Sequence, residues 1–158
     1  MSVILRNAVP GDEALLLRFI RELADYEKML DQVRTTEPML TAALFGPTPR
    51  AEALFAELDG NPAGFAVWHY TFSTFEGAAS LYVEDVYVRP VHRGAGIGFA
   101  IFRHLGARAV GQGCRRMDWS VLDWNATAIA FYQRIGAVPV RGWTLQRLTG
   151  DALAAMAS

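Results

Sequence analysis

The spacing of hydrophobic residues alternates along the chain between patterns typical of strands and patterns typical of helices, and it predicts the order of these elements. Short apolar blocks bounded by turn residues predict strands at 3–8, 51–58, 63–72 and 80–88, and strict two-residue alternation predicts another at 116–121. Helical spacing predicts helices from Asp12 to about Tyr26, after Thr36, from Ile97 to about Val110, and over 125–134. One or two last strands are predicted around Val138 and over 143–147.

The order of these elements predicts the fold class. Three consecutive antiparallel strands come first, and a strand-helix-strand-helix series follows. This order is typical of an α/β (α+β) fold in which helices pack against one mixed sheet. We expect a mostly antiparallel sheet of about six to seven strands with about four helices, in a single domain over residues 1–158.

Composition and charge narrow the classes of partner. The 158 residues suffice for one domain, and a net charge of -1 gives no long-range attraction to nucleic acid or to an anionic membrane. No apolar run approaches the roughly 18 residues of a membrane span, and no signal peptide is visible. Cys114 is the single cysteine, which suits a reducing compartment. We therefore expect a cytoplasmic protein with no nucleic-acid or membrane partner.

A glycine-rich segment, R-P-V-H-R-G-A-G-I-G-F, joins the strand at 80–88 to the next helix. Backbone N–H groups at such a turn, together with a helix N-terminus, suit a phosphate group. The segment lacks the lysine of a P-loop, and its G-x-G-x-G spacing differs from the dinucleotide-binding G-x-G-x-x-G. The remaining pattern is R-x-x-G-x-G, running from Arg93 to Gly98. An ordinary flexible turn stays open as the alternative.

The R-x-x-G-x-G segment resembles the acetyl-coenzyme A motif of the GNAT superfamily of N-acetyltransferases. Four further segments are similar to its diamine acetyltransferase branch: R-E-L-A-D-Y-E at 21–27, L-Y-V-E-D-V-Y-V at 81–88, W-N-A-T-A-I-A-F-Y at 124–132 and R-I-G-A at 134–137. The resemblance covers roughly residues 3 to 150. It implies an acetyl-CoA-dependent N-acetyltransferase that needs no metal, and it assigns the phosphate to coenzyme A.

The resemblance also implies which residues hold the coenzyme. The backbone of Val86 and Val88 would bind the pantetheine arm, and Arg93 would oppose a phosphate. Three glycines would surround the pyrophosphate, namely Gly94, Gly96 and Gly98. Asn125 and Tyr132 would contact the coenzyme, although helix capping alone would explain Asn125 and a solvated loop arginine would explain Arg93. His92 is interpreted as a bystander or a phosphate neighbour.

Acetyl transfer requires an uncharged amine, and an alkylamine with a pKa near ~10.4 is almost wholly protonated at pH 7. By resemblance, Glu84 is the candidate general base, acting through a water. Glu27 is the candidate for cation recognition, with a solvated carboxylate at the end of a helix as the alternative. By resemblance, Tyr132 is the candidate general acid that protonates the departing thiolate, with packing in the core as the alternative. Strand alternation sends Glu84 and Asp85 to opposite faces unless the strand bulges. For Asp85, substrate binding and a structural ion pair both stay open.

The segment F-S-T-F-E-G at 72–77 carries the specificity signal. Polyamine-acetylating relatives have an acidic residue here, whereas Ser73 and Thr74 resemble the thialysine branch. We therefore expect a small primary amine, such as thialysine, a lysine-like amino acid or a short diamine, and by resemblance a homodimer. Glu76 could replace the missing acid. Polyamine, protein or antibiotic amines, or a non-catalytic acetyl-CoA-binding module, are the alternatives.

Overall fold

The computed structural model describes residues 2–158, and the chain divides into two compact units that meet between Leu122 and Asp123. Each unit is described by itself. The first holds the whole sheet, and the second holds two helices and a segment without regular structure. Among the residues described, no helix is both long enough and apolar enough to cross a bilayer.

The first unit contains one five-stranded sheet in the order β1-β2-β3-β4-β5. The strands are β1 (Val3–Asn7), β2 (Glu52–Leu58), β3 (Asn61–Ser73), β4 (Ala78–Val88) and β5 (Met117–Asp118). The first four are antiparallel to their neighbours, and β5 runs parallel to β4. The mixed, mostly antiparallel sheet predicted from the sequence is therefore confirmed.

Three helices belong to the same unit: α1 (Glu13–Tyr26), α2 (Glu37–Phe45) and α3 (Ile97–Gly111). Two short 3₁₀ turns, Leu30–Gln32 and Pro90–His92, lie between the longer elements. The predicted cap Thr36 is confirmed, because its hydroxyl accepts a hydrogen bond from the Met39 amide at 3.4 Å. Asp12 precedes α1 as predicted, but its carboxylate accepts from Arg6 and from the Val9 amide.

The sheet has a different core on each face. The α1 face packs against α1 and α2, and its buried residues include Phe55, Phe65 and Tyr87 with Phe19 of α1. The α3 face packs against α3. Its buried residues are mainly aliphatic, with Trp68 the largest. Because successive strand residues point to opposite faces, these two cores fix which face each later residue takes.

The second unit contains α4 (Ala126–Arg134) and α5 (Gly150–Met156). The last strands expected around Val138 and over 143–147 do not occur among the residues described, so the sheet has five strands rather than six to seven. Alternation marks a sequence that suits a strand, but a strand also needs a neighbour for its backbone N–H and C=O groups. Helix α5 was not predicted, and it brings the number of α-helices within residues 2–158 to five.

The strand expected at 116–121 is also shorter in the structure than its alternating pattern predicts. Only Met117 and Asp118 pair with β4, opposite Leu81 and Tyr82. Just beyond Tyr82 the register of β4 shifts, and a bulge bends a strand away from its neighbour. Pairing between β4 and β5 therefore ends where the bulge begins.

Candidate functional site

The decisive feature of the first unit is a β-bulge at Glu84. Val67 of β3 pairs with Asp85, and the next residue, Trp68, pairs with Val83, so Glu84 is the extra residue on β4. Without the bulge, Glu84 and Asp85 would lie on opposite faces. With it, both lie on the α1 face, while Val83 and Val86 pack into the core of the α3 face.

Three carboxyl groups meet near this bulge. Burial raises the pKa of Asp85 to about 7, and the negative charges of Glu84 and Glu27 raise it further. Burial also raises the pKa of Glu27, which directly follows α1. Glu84 is 56% exposed, so it is the member that solvent reaches most easily. The acidic group suits a cation, since a bound cation would compensate charges that burial disfavours.

A histidine that the sequence reasoning passed over contacts the same group. His69 Nε2 lies 3.5 Å from Glu84 Oε2, and the two side chains belong to adjacent strands. The His69 ring packs on Tyr82 with the ring centres 5.2 Å apart. The Tyr82 hydroxyl is 3.2 Å from the Ser120 hydroxyl. His69 follows Phe65 and Val67 in strand alternation, so it lies on the α1 face with the carboxylates.

After the bulge, alternate residues of β4 direct their backbone groups away from β3. The Arg89 amide donates to the Ala63 carbonyl on β3 at 2.9 Å. Strand residues direct their N–H and C=O to alternate sides, so those of Val86 and Val88 point to the opposite edge. Among residues 2–158, β5 pairs with β4 only at Leu81 and Tyr82. The predicted pantetheine-binding positions are thus on a strand edge that no strand of the sheet covers.

The glycine-rich turn connects this edge to α3. Gly94 and Gly96 have φ values of +85° and +79°, a backbone conformation that side chains disfavour. A Cβ built at either position would meet no atom within 4 Å, so open space lies against the backbone there. Gly96 is the N-cap of α3, and Gly98 lies in its first turn. The first amides of α3 have no acceptor within the helix, which suits an anion.

Two arginines connect this turn to α1. Arg89 makes a paired salt bridge with Glu22 of α1, at 2.8 and 2.9 Å. The Arg93 guanidinium lies 4.7 Å from the centre of the Tyr26 ring, and its Nε donates to the Val88 carbonyl at 3.0 Å. Arg93 therefore packs against the residue before Glu27, and the end of α1 is held beside the end of β4.

The predicted specificity residues lie at the other end of β4. Ser73 pairs with Ala78, six positions before Glu84, which corresponds to roughly 20 Å along an extended strand. The Ser73 hydroxyl accepts from the Glu76 amide at 3.2 Å and closes the hairpin turn that contains Thr74. Within one chain, Ser73 and Thr74 are therefore not beside the three carboxylates. Glu76 is 3.9 Å from Arg115, so its charge already has a counter-ion.

The second unit holds the remaining predicted residues. Asn125 caps α4, because its side-chain oxygen accepts from the Ala128 amide at 3.2 Å. Tyr132 lies within α4, and its ring packs edge-on against Phe131 with the centres 5.7 Å apart. Their roles toward the coenzyme stay predictions.

Comparison with known proteins identifies the family. A model of the acetyltransferase (GNAT) family matches residues 18–137, which is most of the chain. The chain belongs to the GNAT family of acetyltransferases. It is an N-acetyltransferase, and the family resemblance stated from its sequence is confirmed.

Individual relatives of this GNAT enzyme point to amine acetylation. It is 38% identical to the thialysine N-epsilon-acetyltransferase of Bos taurus, over 98% of this chain and 97% of the relative. It is also 38% identical to an L-ornithine N5-acetyltransferase of Arabidopsis thaliana, over 96% of this chain and 86% of that protein. An integron cassette protein of V. cholerae superposes with a TM-score of 0.81 and 28% identity, over 99% and 98% of the two chains.

Proposed function

We propose that this enzyme transfers the acetyl group of acetyl-CoA to a small primary amine, with thialysine, lysine-like amino acids and short diamines as preferred substrates. The bulge at Glu84 is the observation that supports this most directly. It brings Glu84 and Asp85 to one face with Glu27, next to the open edge of β4. A site for an ammonium group and a site for an extended acyl carrier thus lie on neighbouring parts of one strand.

The residues of the glycine-rich turn fit coenzyme A. Open space lies against the backbone of Gly94 and Gly96, where left-handed conformations and the N-terminus of α3 favour an anion. The Val86 and Val88 backbone would hold the pantetheine arm by strand-like hydrogen bonds, and a free N–H there would stabilise negative charge on the thioester oxygen. Bound acetyl-CoA would supply the activated acetyl group.

The carboxylates would receive the amine as a cation. Three carboxylates are enough to bind one ammonium group, and Glu84 is the one that solvent reaches most easily. Asp85 and Glu27 would add charge from positions where burial raises their pKa values. Tyr132 would return a proton to the thiolate, the role that its phenol can perform as a donor.

Substrate choice would depend on a second copy of the chain. Ser73 and Thr74 lie roughly 20 Å along β4 from Glu84, so they reach an amine there only if a partner supplies them. The second unit carries exposed apolar residues over 138–148, including Trp143 at 81% exposure and Leu145 at 80%. Exposed apolar segments of this kind commonly mark interfaces. We therefore propose a homodimer in which the exposed Thr74 hydroxyl, rather than a carboxylate, lines the far end of the amine site, while the buried Ser73 shapes the turn that carries it.

Calorimetric titration tests the coenzyme half of this proposal. Coenzyme A and acetyl-CoA should bind and stabilise the protein, whereas ATP and NAD should not, because their polyphosphates lack the pantetheine arm. Equal stabilisation by ATP, or none by coenzyme A, would contradict it. Binding without acetylation of any amine would instead favour a non-catalytic acetyl-CoA-binding module.

A further inference from the structure

We propose that His69 is the proton acceptor for the incoming ammonium group, and that the Glu84 carboxylate positions the imidazole ring. This inference rests on the proposed acetyl transfer to an amine. It assigns the proton to an imidazole on β3 rather than to a carboxylate on β4. The supporting geometry is the 3.5 Å contact between His69 Nε2 and Glu84 Oε2 on the α1 face.

The bulge creates this pair. Glu84 is the unpaired extra residue of β4, so its side chain leaves the regular alternation and reaches the neighbouring strand. Tyr82, directly opposite His69 on β4, packs on the imidazole ring and is itself anchored through the Ser120 hydroxyl. His69 is thus oriented by a carboxylate and an aromatic ring. The 3.5 Å separation exceeds a usual hydrogen bond of about 3 Å, and contacts of this type commonly tighten when substrate arrives.

An imidazole suits this step better than a carboxylate does. It exchanges protons near neutral pH, whereas a model glutamate has a pKa of about 4.3 and is a weak acceptor for an alkylammonium proton. The Glu84 carboxylate, 3.5 Å from Nε2, can hold the ring in one orientation while the proton moves. Since the His69 side chain is 35% exposed, the proton can pass on to solvent.

The step balances without another reactant. One N–H bond of the ammonium breaks, and its electron pair stays on nitrogen. The proton moves to Nδ1 of His69, since Nε2 faces Glu84, and then to water. The freed pair forms the C–N bond to the thioester carbonyl carbon, and the C–S bond breaks with its electrons on sulfur. A second nitrogen proton is lost as the amide forms, and sulfur gains one. The net products are the amide, the thiol and one proton.

The other charged groups near His69 lie either on the same face of the sheet or on the opposite face. Glu84, Asp85 and Tyr82 of β4 share its α1 face, and Glu27 adds charge from the end of α1. From β2, Glu52 pairs opposite Trp68 and forms a salt bridge with Arg108 of α3. Arg108 lies over the Trp68 ring, on the α3 face and thus on the other side of the sheet from His69.

The test is the pH profile of kcat/KM for His69→Gln, which keeps a polar side chain but cannot accept the proton. We expect a loss of roughly 10²-fold at pH 7, within the range for acid-base groups. The loss should shrink to within about tenfold at pH 9.5, where about a tenth of an alkylamine is uncharged, against less than about 0.1% at pH 7. Coenzyme A affinity should stay unchanged. His104→Gln, which removes a histidine in the middle of α3, is the control and should keep the wild-type profile.

The double variant His69→Gln/Glu84→Gln tests whether the two side chains act together or independently. If the two side chains act together, the double variant should lose no more than about threefold beyond the worse single variant. Fully additive losses would overturn the proposal, as would a pH-independent loss or a loss below threefold at pH 7. A wild-type enzyme that binds coenzyme A but acetylates no amine would instead overturn the proposed function.

Discussion

Replacing Asp85 with asparagine should make the protein more stable at pH 8. Burial and two neighbouring carboxylates raise the pKa of Asp85 from 3.8 to about 7. The folded state therefore binds more protons than the unfolded state between about pH 4 and pH 7, and the stability of the fold falls as pH rises through that window. Asparagine keeps the shape of the side chain and carries no charge, so it removes this decline.

The expected gain in the free energy of unfolding follows from the pKa shift of Asp85. About three pKa units at roughly 1.4 kcal/mol each set a ceiling of about 4 kcal/mol. Water reaches the half-buried carboxyl group and screens its neighbours, so we expect about 1–2 kcal/mol at pH 8. For a chain of 158 residues this corresponds to a rise in Tm of roughly 2–8 °C. Most of the gain should be lost by pH 5, where the wild-type carboxyl group is largely protonated in the folded state.

Thermal unfolding by circular dichroism at pH 5 and pH 8 measures this directly. Asp31→Asn, in the exposed 3₁₀ turn Leu30–Gln32, is the matched control and should leave Tm within about 1 °C at both values. The Asp85 variant should also raise the KM for the amine, since it removes a negative charge from the cation site. A Tm for Asp85→Asn that is lower than wild type at pH 8, or a gain of equal size at both pH values, would refute this reasoning.

Three other predictions concern the coenzyme, the acid and the assembly. Tyr132→Phe should lower kcat by roughly 10²–10⁴-fold with little change in Tm or coenzyme affinity, because only the proton donor is lost. A rate within threefold of wild type, with a stability cost of about 0.5–1.5 kcal/mol, would instead assign the hydroxyl to packing. Gly96→Val should weaken coenzyme A binding in a calorimetric titration, since φ is +79° there and a branched side chain would fill the open space against the turn. Gly111→Val, near the end of α3 and away from the turn, should bind coenzyme A normally. Sedimentation velocity at micromolar concentration should give a dimer, and Trp143→Asp should shift it toward monomer. A stable wild-type monomer would contradict the assembly.

The elements that the sequence predicted well are those whose pattern and end signals agree. Thr36 marks the start of α2, and Asn125 marks the start of α4, each by the side-chain hydrogen bond that its residue type suggests. The glycine-rich turn and α3 also follow from local chemistry, because glycine adopts at little cost the positive φ that the turn requires at Gly94 and Gly96.

The parts that the sequence predicted poorly depend on pairing between distant segments. Alternation at 116–121 suits a longer strand than β5, but the bulge in β4 ends the pairing. The bulge was recognised only as the condition under which Glu84 and Asp85 could share a face. Its position depends on the register of β3 against β4, which sequence pattern alone does not set. His69 was missed for the same reason, since nothing local connects it to Glu84.

The central claim is tested most directly by following coenzyme A release from acetyl-CoA over a panel of amines and confirming each product by mass spectrometry. We predict acetylation of thialysine, lysine-like amino acids or short diamines, with kcat/KM for spermine no higher than for the best of these. Acetylation should require a primary amine and should occur without added metal. A spermine kcat/KM at least tenfold above that for thialysine, or a preference for histone peptides, would contradict the account.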